Sequence, residues 1–324
     1  MSAYRKILLL LDGSMVETKG LKRAQHLAWM EGAELHLCLI DHSKSIQALG
    51  TVSHELMELA RRAFIAERQQ WLQRIAASIE ESGVRVHTET LWGHPAHTLA
   101  LARIAELQPD LVITDLPQSL SRTHAQLGAI DRHLLHQCAQ PLLLIRGNAQ
   151  DPPRHILVAV DLADIDAGTP PFNAQLVAAA RNLADNCKAA VDLVSVCEDL
   201  PILTMLPSFE LTERYEHIHQ AQRAAHAQTF RDFALQQGLA DTAHFLTGLP
   251  LPGIVDCARR TQADIVVIGS LHHTVLDRYV LGSTADGVVG ELSCDVLIVK
   301  PQRVLQPDTA AAPRRLQERS TVLS

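Results

Sequence analysis

Aromatic side chains are scarce in this chain, 4% of 324 residues, while hydrophobic residues make up 47%. Its core must therefore be aliphatic, packed from Leu, Ile, Val and Ala. Long apolar runs are missing as well. No stretch approaches the roughly 18 apolar residues of a membrane span. The run from Ile7 to Leu11 stops at Asp12, too short for the core of a secretory signal. Positive charge is not in excess: 29 Lys and Arg against 36 Asp and Glu give a formal net charge of −7. That sign argues against a nucleic-acid scaffold, which needs a clustered basic face. The six cysteines (Cys38, Cys138, Cys187, Cys197, Cys257, Cys294) include no C-x-x-C pair and read as small apolar core residues of a reduced protein. No G-x-S-x-G elbow and no G-x-x-x-x-G-K-[ST] loop occurs, so neither a serine nucleophile nor a phosphate-gripping lysine is indicated. These absences predict a soluble cytoplasmic protein with no membrane or nucleic-acid partner.

What is present is a repetition. Lys6-Ile7-Leu8-Leu9-Leu10-Leu11-Asp12 returns as His155-Ile156-Leu157-Val158-Ala159-Val160-Asp161, an offset of 149 (12 to 161). Asp110-Leu111-Val112-Ile113-Thr114 returns as Asp264-Ile265-Val266-Val267-Ile268, and Pro141 to Arg146 as Asp295 to Lys300, both at an offset of 154. A period of that length is a whole domain, far beyond the roughly 20–50 residues of solenoid repeats.

Each half alternates aliphatic runs with helical patterns. The predicted strands are Lys6–Asp12, Glu34–Ile40, Arg85–Leu91, Leu111–Asp115 and Leu142–Arg146, then His155–Asp161, Ala190–Val196, Ala243–Thr247, Ile265–Gly269 and Val296–Lys300. Runs such as Leu8–Leu11 are continuous rather than alternating, the mark of a parallel strand covered on both faces. Phe172, Leu176, Ala180 and Leu183 recur at helical spacing. The fold class is therefore α/β: two tandem five-stranded, doubly wound, parallel-sheet domains with right-handed crossovers. The expected domains are 1–147 and 154–301, with a Gly- and Pro-containing linker at 148–153 and a disordered tail at 302–324.

Ligands of open α/β sheets bind beyond the carboxyl ends of strands where the winding reverses. In the second half that edge offers Asp161, Gly269-Ser270, His272 and the helix start Gly282-Ser283-Thr284. Glycine admits close approach of an anion, Ser or Thr adds a hydroxyl, and the helix start adds free amides. Asp161 is placed to bond a ribose hydroxyl or a metal on phosphates. The same residues also fit a plainer role: Gly269 in a tight turn, Ser283-Thr284 as a helix cap, and Asp12 and Asp161 bonding their own loops.

The two strand-one sequences ending in Asp, the loop after Gly269 and the Gly-Ser-Thr helix start resemble the universal stress protein family, over about residues 4–301. The resemblance implies Rossmann-like domains of the adenine nucleotide alpha hydrolase type, strand order 3-2-1-4-5 in each, with the two fifth strands pairing in an internal pseudo-dimer. A homodimer of chains is a further expectation. Nucleotide-binding members show Gly, two residues, Gly, nine residues, then Gly-Ser or Gly-Thr. Gly269 and Gly282-Ser283 match, while His272 replaces the middle glycine. In the first half the aligned positions are Asp115, Gln118, Gly128 and Ala129, so a carboxylate stands where phosphate would lie and no triphosphate is expected. Asp12-Gly13-Ser14 matches the family's first loop, with Ser14 read as a helix cap. A segment Asp131-x-His133-Leu134-Leu135-x-x-Cys138-x-x-Pro141 points to the tandem-domain type.

What the resemblance implies is a cytoplasmic, non-catalytic stress-response protein holding ATP or AMP in its second half, at Asp161, Gly269, Ser270, His272, Gly282, Ser283 and Thr284. Two alternatives stand beside it. Leu200, Ile202, Leu203, Met205, Leu206 and Phe209 could border an apolar cleft for a lipid-like ligand, or the chain could be a protein-interaction module without ligand. No metal is expected: His94 with His97, His133 with His136 near Cys138, and His272 with His273 supply no local set of three or four converging ligands.

Overall fold

The structure, a computed structural model, describes residues 4–116, 128–146, 152–162, 169–198, 209–270 and 283–301. The linker residues 148–151, the apolar segment 199–208 and the tail from 302 lie outside them. In the first half the order is β1 (Lys6–Leu11), α1 (Lys19–Glu31), β2 (Glu34–Asp41), α2 (Lys44–Leu49), α3 (His54–Glu80), β3 (Val86–Trp92), α4 (Ala96–Leu107), β4 (Leu111–Asp115), α5 (Ala129–Gln137) and β5 (Leu142–Ile145). The second half repeats it with β6 (His155–Ala159), α6 (Thr169–Cys187), β7 (Ala190–Cys197), α7 (Phe209–Gln236), β8 (Ala243–Thr247), α8 (Pro250–Arg260), β9 (Ile265–Gly269), α9 (Ser283–Glu291) and β10 (Asp295–Val299).

The sheet order is β3-β2-β1-β4-β5-β10-β9-β6-β7-β8. Each half therefore reads 3-2-1-4-5. The two sheets are not separate, however: β5 and β10 pair antiparallel, Leu143 opposite Leu297, and merge them into one ten-stranded sheet. The pairing removes an open strand edge from each half. Every other ladder is parallel, which explains why the strand sequences are continuous rather than alternating. Ile7, Leu8 and Leu9 are all wholly buried, because helices cover both faces. One core lies under α1, α3, α6 and α7, the other under α4, α5, α8 and α9, and both run across the boundary between halves.

The repeated Asp110 and Asp264 have a structural job. Asp110 Oδ2 accepts the amides of Arg5 and Lys6 (2.8 and 2.9 Å), and Asp264 Oδ2 those of Arg154 and His155 (2.7 and 3.0 Å). Each ties the start of a fourth strand to the start of its first.

The ends of the fifth strands lock the halves together with the same symmetry. Lys300 Nζ donates to the Leu135 carbonyl in the last turn of α5 (2.7 Å), and the Arg146 guanidinium donates to the Val289 carbonyl in α9. Both members of each pair are related by the offset of 154 seen in the sequence. A cation at a helix carboxyl end is favoured by the helix dipole. Burial, the dominant effect, pushes the Lys300 ammonium down to about 8. Asp295, wholly buried, departs from the symmetry: it pairs with Arg23 of α1 (3.5 Å) and accepts the Arg146 amide (2.7 Å). Its carboxyl is pushed up to about 6 by burial, against the pull of Arg23.

Candidate functional site

The winding reverses between β1 and β4 in the first half and between β6 and β9 in the second. At the second of these points the fold brings together Asp161, exposed just after β6, with Gly269 and Ser270 at the end of the adjacent β9. Helix α9 does start at Ser283, and connectivity puts that start at the same edge, since β9 and β10 are parallel. His272 and Gly282 lie outside the described residues, and the side chains of Ser283 and Thr284 are likewise not described. Asn173 of α6, 1% exposed, donates from Nδ2 to the Asp161 carbonyl (2.6 Å) and ties that backbone to the helix.

Gly269 and Ser270 are less open than their sequence pattern suggests. A Cβ on Gly269 would lie 2.6 Å from Cε1 of Phe172 and 3.3 Å from Cδ1 of Leu176. The glycine is required by the packing of α6 on the strand end. Ser270 is wholly buried, and its Oγ accepts from Lys300 Nζ (3.2 Å), the lysine that clamps the two halves.

The first half solves the same helix-strand contact the other way round. Here the strand end carries Asp115 and the helix carries Gly20, whose Cβ would stand 2.3 Å from Asp115 Oδ2. The Asp115 carboxylate accepts from Thr18 Oγ1 (2.6 Å) and from the Gly20 amide (2.9 Å) at the start of α1. Burial raises its pKa, against the pull of these two donors. An internal anion thus occupies the helix start where a ligand anion would otherwise be attracted. Beside it, Asp41 covers Gly13, whose Cβ would fall 2.1 Å from Oδ2, and Asp41 is held by Arg68 Nε at 2.7 Å. Asp12 takes the plainer of its two roles: Oδ1 accepts the Ser14 amide (3.0 Å). Ser14 is not the cap of α1, contrary to the sequence reading. Thr18 is, accepting the Leu21 amide at 3.2 Å, because the loop runs four residues further before the helix begins. At the start of α5, Gly128 donates its amide to Asp131 Oδ2 (2.8 Å); Gln118 lies outside the described residues.

Several groups near these edges were not singled out in the sequence. Ser195 of β7 and His226 of α7 share a buried hydrogen bond of 3.1 Å, and His226 has its pKa lowered by burial while the Asp161 charge opposes the shift. An open hollow of about 570 Å³ is lined by Arg223, Phe245, Thr247, Asp256, Arg259 and Arg260. A smaller one of about 330 Å³, in the first half, is lined by His42, Met57, Arg61, Trp92 and His94 among others. Two of the histidine pairs weighed in the sequence do meet: His97 stacks on His133 with centroids 3.6 Å apart. No third His, Cys, Asp or Glu donor joins them among the described residues. None of the six cysteines forms a disulfide, and burial pushes Cys38 and Cys294 up to about 12, so these two are inert thiols.

The universal stress protein family model matches residues 3–146 and again 153–300. The chain belongs to the universal stress protein family. Universal stress protein E of Salmonella typhi is 26% identical over 315 residues, covering 95% of this chain and 98% of that one. This agrees with the tandem-domain type read from the Asp131 to Pro141 segment. Among solved structures, a functionally unknown protein from Pseudomonas aeruginosa PAO1 shares 24% identity at a TM-score of 0.70, covering 93% of this chain and 94% of that one. A universal stress protein from Archaeoglobus fulgidus DSM 4304 shares 15% identity at a TM-score of 0.62, covering 93% and 99%. These two likenesses establish the fold: two universal stress domains in one chain. Among the described residues of this family member no helix is long and apolar enough to cross a membrane.

Proposed function

We propose that this universal stress protein is a non-catalytic, cytoplasmic stress-response protein whose second half holds an adenine nucleotide, ATP or AMP, with no metal in the nucleotide site. Asp161 bonds the ribose. Gly282, Ser283, Thr284 and His272 meet the phosphates at the start of α9, and Gly269 with Ser270 forms the packed floor. The observation that carries this reading is the contrast between the two reversal points. In the first half the Asp115 carboxylate stands at the end of β4, bonded to the start of α1, whereas in the second half β9 ends in Gly269 at the aligned position. Like charges at close range would repel a triphosphate from the first site but not from the second. The arginines Arg223, Arg259 and Arg260 give the second half a further attraction for anions.

The test is native mass spectrometry of protein purified from cells, followed by calorimetric titration with ATP. Retained nucleotide or saturable ATP binding is expected, lost in the double variant Gly282→Val, Ser283→Ala. Equal ATP affinity in that variant removes the site assignment. Co-purifying lipid with no response to ATP would favour the apolar-ligand reading, and neither ligand a pure interaction module.

A further inference from the structure

At the opposite edge of the sheet, Glu34 and His36 sit two residues apart on β2 and so share one face. His87 on β3 stands directly opposite His36 in the parallel register. The two imidazoles stack with centroids 4.6 Å apart, tilted by 22°. Both Nε2 atoms lie 3.9 Å from the same carboxylate oxygen, Glu34 Oε2. The three donor atoms all lie within 4.8 Å of one another. His36 Nε2 is buried and has no hydrogen-bond partner. Leaving such a polar atom unsatisfied is unfavourable, so it asks for something between the rings and the carboxylate.

We propose that Glu34, His36 and His87 form a transition-metal site that takes one divalent ion of the Zn2+, Co2+ or Ni2+ kind. Two imidazoles and one carboxylate are the donor set of catalytic-type zinc and related sites, and unlike that of Mg2+ or Ca2+, which take oxygen donors. Metal–ligand bonds of about 2.0–2.2 Å require the donors to close in by less than about 1 Å. His87 is half-exposed, so the ion enters from solvent and keeps water in its remaining positions. Arg85 Nη1 binds the other oxygen of Glu34 at 2.5 Å and leaves Oε2 for the ion. The neighbouring cations are held elsewhere: Lys6 Nζ on the Leu107 carbonyl (3.0 Å), Arg103 on Glu89 (2.7 Å) and Glu106 (3.0 Å).

Among the described residues the site exists once. The ladder pairs Lys6 with Glu34 in the first half and His155 with Ala190 in the second, so Ala190 and Asp192 occupy the positions of Glu34 and His36. Opposite Asp192 comes Thr242, one residue before Ala243. It also lies at the amino ends of β2 and β3, away from the carboxyl edge of the nucleotide reading, and stands independently of it.

The experiment uses the full chain, stripped with EDTA, dialysed, and titrated with Zn2+ by calorimetry and with Co2+ by absorbance. One ion per chain is expected, weakened by at least about tenfold in His87→Ala and in Glu34→Gln, and unchanged in His97→Ala, whose stack with His133 lies elsewhere. The Co2+ spectrum should show ligand-field bands without a thiolate charge-transfer band. Glu34→Gln keeps the shape of the side chain and serves if His87→Ala does not fold. No Zn2+ binding, undiminished affinity in both variants, an equal loss in His97→Ala, or a thiolate band would each overturn the site.

Discussion

Replacing Gly269 by Ala separates two explanations of one glycine. If it exists only so that a phosphate can approach, a methyl group should leave the ligand-free fold untouched. The structure requires the opposite. The added Cβ would sit 2.6 Å from Cε1 and 3.1 Å from Cζ of Phe172, where carbon atoms normally rest about 3.5–4.0 Å apart. Phe172 is 4% exposed and packed with Leu176 and Val177 in the core, so the ring cannot swing aside. Overpacking of this kind costs about 1–3 kcal/mol, a drop in melting temperature of roughly 2–4 °C per kcal/mol for a domain of this size. Phe172→Ala alone leaves a cavity and costs about 3–5 kcal/mol. In the double variant the clash is gone, so the two effects should fall short of their sum by about the whole overpacking term. Thermal melts of the ligand-free parent, both single variants and the double variant read this directly. A Gly269→Ala protein that melts with the parent, or a double variant whose losses simply add, would refute the packing account and return the glycine to the ligand.

Asp115→Ala removes the acceptor of the Thr18 hydroxyl and the Gly20 amide and should cost about 2–3 kcal/mol, while Asp12→Ala, exposed and bonded only to the nearby Ser14 amide, should melt close to the parent; equal melts would break the distinction. Lys300 is held at about 8 when folded, against 10.5 ordinarily. The unfolded chain therefore binds more protons between those values, and stability from this group rises with pH across that window, by up to roughly 3 kcal/mol. Lys300→Met should lose that rise relative to the parent in denaturant titrations from pH 7.5 to 10. Asp295 has the opposite sign: its carboxyl sits at about 6 when folded, against 3.8 ordinarily. The folded chain then holds the extra proton, and stability falls as pH rises from about 4 to 6, again by up to roughly 3 kcal/mol. The same titrations on Asp295→Asn should lack this fall; an unchanged profile would put the proton elsewhere.

The strands were legible because a continuous aliphatic run needs no partner to be recognised. Leu111–Asp115, Ala243–Thr247 and Ile265–Gly269 fall where their sequences put them. Strand ends moved by a residue or two: at Arg146, for example, the backbone amide goes to the Asp295 carboxylate instead of to a neighbouring strand. Asp110 and Asp264 were visible as repeated letters, but their roles as ties between first and fourth strands were not. The cap of α1 was misread because Ser14 follows the family pattern, while the helix starts only after Thr18.

By itself the sequence determined that there are two copies of one α/β unit, which strands are buried on both faces, and that the first copy carries a carboxylate where the second carries a glycine. Only the tertiary structure decided why. Periodicity says which face a residue occupies but not what stands opposite it. Phe172 meets Gly269, Asp115 meets Gly20, and His36 meets His87 across gaps of about 50 to 100 residues, and such pairs exist only once strand register and helix packing are set. The fusion of the two sheets has the same origin. Leu142–Ile145 and Asp295–Val299 are each an ordinary fifth strand until their free edges meet and the two halves share one hydrogen-bonded ladder.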